Sequence, residues 1–183
     1  SEYTLRTINS IIHSCNEALK EFTYLDINLI ITDHNSETQI LQKIESCLNK
    51  AKFKTSIINL DENEIMDNIN KKDEFNNPIS DNMISNMMNI YKSLLLTKEK
   101  AKDLVYFLED DYIHEREAIK EMLFTYERIS SQLNRELFLC PADYPYLYNK
   151  VENSKIFIGS KRHWRSVNET LITFMTSKQM ILK

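Results

Sequence analysis

The sequence predicts an α/β fold, a mostly parallel sheet with helices on both faces, and three observations carry that expectation. Short apolar runs, too brief for helices, alternate with longer stretches whose apolar residues recur at steps of three and four. Over residues 1–133 the two patterns take turns, the order that buries a parallel sheet between helices. Residues 134–183 change character, with shorter runs set among aromatic and basic loops. The 183 residues suit one domain with its own hydrophobic core.

The opening segment places Leu5, Ile8, Ile12, Cys15, Leu19 and Phe22 on one helical stripe. The run from Asp26 to Asp33 reads as a buried strand. Asp33-His34-Asn35-Ser36 is turn chemistry, with Asn35 or Ser36 able to cap the next helix, which turns Ile40, Leu41, Ile44, Cys47 and Leu48 inward. Phe53 to Leu60 is a second strand. From Asp61 to Asp81 the chain is acidic and Asn-rich, a short helix followed by an exposed loop. A long helix from about Asp81 to Lys100 presents Met83, Met87, Ile90, Tyr91, Leu94 and Leu95 to the core. Asp103 to Leu108 is the third strand, and it ends in Glu109-Asp110-Asp111-Tyr112. A further helix, about Glu115 to Leu133, buries Ala118, Ile119, Met122, Tyr126 and Ile129. Strands are expected at Glu136 to Cys140, Lys155 to Gly159 and Thr170 to Thr176, with an aromatic loop at 141–148 and a basic run at 161–165.

Composition narrows the function. A net charge of -4 argues against a sequence-independent nucleic-acid binder, which needs a broad cationic face. A single glycine, Gly159, removes Walker loops and dinucleotide fingerprints, so any phosphate must be held by metal and side chains. Cys15, Cys47 and Cys140 are odd in number and form no CxxC pair. They read as reduced core residues of a cytoplasmic protein. No apolar run approaches the roughly 20 residues of a membrane helix, so membrane contact is expected to be peripheral at most.

Ligands of open α/β sheets bind beyond the carboxyl ends of the strands. Asp33 and the triplet Glu109-Asp110-Asp111 fall there. Adjacent carboxylates repel unless a cation neutralises them, and hard oxygen donors beside a substrate phosphate suit Mg²⁺ or Mn²⁺. A solvated acidic loop is the competing explanation.

The arrangement resembles the GT-A fold glycosyltransferases, in particular the large inverting nucleotide-sugar family, glycosyltransferase family 2-like. "LRTINSI" (Leu5 to Ile11) is similar to the family's opening helix, "LIITDHNS" (Leu29 to Ser36) to its second strand, and "DLVYFLEDDY" (Asp103 to Tyr112) to the strand carrying its DxD-like motif. The resemblance implies a Rossmann-like, mostly parallel sheet flanked by helices. It also implies transfer of a sugar from a nucleotide diphosphate to an acceptor hydroxyl, residues 1–133 holding the nucleotide and 134–183 the acceptor and diphosphate. Asp33 would then accept a hydrogen bond from the base, Asp110 would face the ribose, Asp111 would bind the metal, and Glu109 would assist. The family's strand before the opening helix has no counterpart, so the chain reads as one that begins late or as part of a longer protein.

In that setting Lys161, Arg162 and Arg165 can neutralise a leaving diphosphate, His163 can complete the metal shell, and Trp164 can stack on a sugar or base. Ordinary roles for the run are an exposed turn and a core tryptophan. Inversion needs a general base, for which Asp143 is the first candidate and Glu169 the second. Partial desolvation beside Ala142, Tyr144 and the prolines is expected to raise the Asp143 pKa, although Asp beside Pro also caps turns. Tyr144, Tyr146 and Tyr148 offer a sugar platform or plain packing. A domain of the same fold that binds saccharide or protein without catalysis is the alternative, and a two-metal phosphatase or nuclease is a third.

Overall fold

The computed structural model describes residues 2–149 and 151–183, apart from the side chains of Glu62 and Glu64. Its elements are α1 (Glu2–Glu21), β1 (Asn28–Asp33), α2 (Thr38–Leu48), β2 (Lys54–Asn59), α3 (Glu62–Ile65), α4 (Asp81–Lys100), β3 (Leu104–Phe107), α5 (Ala118–Leu133), β4 (Ile156–Ile158), β5 (His163–Arg165), β6 (Phe174–Ser177) and α6 (Lys178–Ile181). The fold is mixed α/β.

Helix α1 organises the core because both of its flanks are apolar. Ile8 and Ile12 pack with Ile44, Cys47 and Leu48 of α2. Ile11, Cys15 and Ala18 pack with Ile119, Met122 and Tyr126 of α5. The single expected stripe is therefore too narrow, since a helix wedged between two others buries both sides. Fully burying a side chain such as Ile12 or Met122 is worth about 1.5–3 kcal/mol.

The sheet differs from expectation. Strand β1 pairs with β2 in parallel, β3 with β6 antiparallel, and β4 with β5 antiparallel, giving three two-stranded sheets among the described residues and no large continuous one. The parallel sense still extends beyond the β1–β2 pair. Asp26, just before β1, meets Lys54 at the start of β2 (3.5 Å) and Lys102 just before β3 (2.7 Å). Three strands thus begin at one end of the molecule. Leu29 of β1 and Leu104 and Tyr106 of β3 line the same cluster, although β1 and β3 are not bonded to each other.

Local differences have local causes. Helix α4 packs Met87 and Tyr91 against the core as expected, but it buries Met88 and Leu96 and leaves Met83 (51%) and Leu95 (39%) exposed, so the face is turned slightly from the expected stripe. Its contacts, with Leu60, Ile65 and Ile69, come from a segment whose position the periodicity could not supply. The expected strand 136–140 is reduced to one bridge, Leu139 with Met175. Neither Asn35 nor Ser36 caps α2. Asp33 Oδ2 instead accepts from the Ser36 amide, and α2 begins without a side-chain cap. With glycine nearly absent, asparagine takes the left-handed positions: Asn35, Asn76 and Asn134 all have positive φ, Asn134 at the end of α5.

Candidate functional site

The carboxyl ends of β1 and β3 lie at the N-terminal end of α1. Thr4, in the first turn of α1, donates to Asp110 Oδ2 at 2.6 Å. Ile31, near the end of β1, packs in the cluster that holds Leu5 and Ile8. Asp33 is 8% exposed, its carbonyl accepting from the Leu60 amide. Two acidic strand ends, far apart in sequence, therefore share one end of the fold.

The triplet is anchored lightly. The buried Thr173 hydroxyl donates to Glu109 Oε2 and accepts from the Glu109 amide, each at 3.2 Å. Asp110 has the Thr4 contact. Asp111 is exposed and forms no hydrogen bond or ion pair among the described residues. The expected metal set Glu109, Asp111 and His163 is not assembled: no group of three His, Cys, Asp or Glu side chains able to hold a metal converges among the described residues. His163 stands exposed at the start of β5.

The basic run is the turn and second strand of the β4–β5 hairpin, and its cations already have partners. Lys161 pairs with Glu117 (3.2 Å), Arg162 with Glu115 (2.5 Å) and Arg165 with Asp143 (2.8 Å). The backbone of the turn is committed too. Glu121, buried on α5, accepts from the amides of Ser160, Lys161 and Arg162, from the Trp164 indole and from the Thr125 hydroxyl. Burial pushes the Glu121 carboxyl up, but these donors outweigh it and leave the group below the ordinary carboxylate range. Trp164 is half-buried, packing against the core cluster with its indole joined to Glu121. Gly159 is required sterically. A Cβ there would lie 2.1 Å from Glu121 Oε1 and 2.4 Å from Thr125 Oγ1.

Sequence reasoning passed over Glu121. The available signal was a carboxylate on the apolar face between Ala118, Met122 and Thr125, in a chain with one glycine.

Asp143 behaves opposite to expectation. Its hydrogen bond from Arg165, then one from Tyr148, hold the carboxyl below its usual range despite some desolvation. The Arg165 guanidinium also lies 4.5 Å above the Tyr148 ring. Tyr144 and Tyr146 stack with centroids 5.7 Å apart, and the Tyr144 hydroxyl bonds that of Tyr112, the residue after Asp111. The aromatic loop therefore adjoins the triplet. Glu169 is exposed between β5 and β6.

Behind the triplet lies a half-buried polar chain. His114 Nε2 bonds the Tyr106 hydroxyl at 2.9 Å, and the His114 amide donates to Ser10 Oγ at 2.9 Å. Burial lowers the His114 pKa to about 4. A groove of about 550 Å³ opens on α1 between Arg6, His13, Lys50 and Ile113, and none of the expected site residues lines it. No helix among the described residues is long and apolar enough to cross a membrane. Comparison with protein-family models, curated proteins and solved structures finds no match for this chain.

Proposed function

We propose that the protein is a metal-dependent, GT-A-type glycosyltransferase domain with a Rossmann-like core, moving a sugar from a nucleotide diphosphate to an acceptor hydroxyl. The observation that carries this is that Asp33 and Glu109-Asp110-Asp111 follow strands that begin together and end toward the first turns of α1. Asp33 accepts a hydrogen bond from the base and Asp110 takes the ribose. Mg²⁺ and Mn²⁺ need only one or two carboxylates when substrate phosphates complete the shell, so Asp111 with Asp110 or Glu109 is a sufficient donor set. A cation bound there supplies charge neutralisation for the leaving diphosphate. Free thiols at Cys15, Cys47 and Cys140 support a cytoplasmic location.

A second reading, a domain that binds saccharide without transferring it, is favoured by the pairing of Lys161, Arg162, Arg165 and Asp143 with one another or with nearby acids. Calorimetry with UDP and GDP, with and without Mn²⁺, separates the two. A transferase site gives metal-dependent heat, with an affinity that Asp111→Asn weakens about tenfold or more. Absence of heat with both nucleotides overturns the transferase.

A further inference from the structure

We propose that the loop 141–148 is a saccharide subsite in which Tyr146 stacks against a pyranose ring and Asp143, paired with Arg165, accepts hydrogen bonds from its hydroxyls. The inference rests on the proposed function only in calling this sugar the acceptor.

Aromatic rings take sugars through their faces, and the Tyr144–Tyr146 pair has the needed form. Tyr144 is half-buried behind, fixed to Tyr112, and Tyr146 is 39% exposed, so one ring is backed by another and still reachable. Tyr148 is the most exposed of the three, but Arg165 occupies one face of its ring and its hydroxyl donates to Asp143. It acts as a strut.

Asp143 is suited to ligand binding more than to proton abstraction. Among the described residues, Arg165 and Tyr148 each use one lone pair on a different oxygen, which leaves one on each for a ligand, and half of the side chain faces solvent. Two adjacent sugar hydroxyls match two such oxygens. Arg165 is only 18% exposed, so the carboxylate is held in a fixed direction. The Tyr112–Tyr144 bond joins this surface to the residue following Asp111, which brings the bound ring beside the triplet.

The test is NMR and calorimetric titration of the whole chain with methyl glycosides of glucose, galactose and N-acetylglucosamine. Saturable binding of at least one is expected, with shifts at Tyr146. Tyr146→Ala and Asp143→Asn should each weaken it tenfold or more, Tyr146→Phe should retain it, and UDP–Mn²⁺ heat should be unchanged in all three. Binding that survives Tyr146→Ala overturns the subsite. So does the failure of all three glycosides while UDP–Mn²⁺ still binds, which leaves the transferase standing. Glycoside binding at Tyr146 without any nucleotide heat supports the subsite and overturns the transferase.

Discussion

The end of β3 and the turn of the β4–β5 hairpin both gather charge, yet they treat it differently. At the hairpin, Lys161, Arg162 and Arg165 each have a carboxylate partner, and three amides converge on Glu121. At the strand end, Glu109 and Asp110 are each steadied by one threonine and Asp111 by nothing described. A group already satisfied by its own fold must break a contact to serve a ligand. Open bonding capacity, and not charge density, marks the place where chemistry can be added.

Removing the keystone of the satisfied region gives the largest expected effect. Glu121→Ala leaves three amides and an indole without their acceptor, and should cost about 3 kcal/mol or more in denaturant unfolding. Gly159→Ala forces a Cβ into the same atoms and should cost about 3 kcal/mol. Wild-type stability in both would mean that the hairpin is not pinned to α5.

Acid should loosen the protein through His114. Burial keeps this ring neutral in the folded state down to about pH 4, whereas the unfolded ring gains its proton near 6.5. Between those values the unfolded chain holds more protons, so stability falls as pH falls, by about 3 kcal/mol at the lower limit, and the effect is absent above 6.5. His114→Gln should flatten that slope in unfolding curves taken from pH 7 to 4.

At the open region, Asp111→Asn should weaken Mn²⁺-dependent nucleotide binding about tenfold or more, roughly 1.4 kcal/mol, while thermal unfolding stays unchanged. A parallel loss of stability would show that Asp111 is structural. The smallest effect is expected for Lys161→Ala and Arg162→Ala. Exposed ion pairs such as theirs are worth at most about 0.5–1 kcal/mol, and UDP affinity should not move. A large drop in affinity for either would mean that its carboxylate releases it to the diphosphate.

Much of this was legible in local pattern. The stripe on α1, the strand ending in Asp33 and the run from Leu104 to Phe107 follow from side-chain spacing, which is set by residues a few positions apart. What escaped was non-local. The Lys161–Glu117, Arg162–Glu115 and Arg165–Asp143 pairs join separate elements, and nothing in a charge run states which acid it will meet. The Asp143 pKa expectation failed for the same reason: neighbouring prolines were visible and the Arg165 guanidinium was not. Sheet pairing was out of reach because period-two alternation fixes a face and not a partner. On α4, Met87 and Tyr91 were placed on the core face, while the edge of that face was missed because Leu95 and Leu96 are equally apolar.

The Glu121 contact also sets how the hairpin moves. Ser160, Lys161 and Arg162 turn their side chains to water, as a loop tip does, but their amide hydrogens point into a buried carboxylate carried by α5. Their exchange with solvent deuterium then waits on separation of the tip from the helix, so an outward-looking turn keeps time with the core.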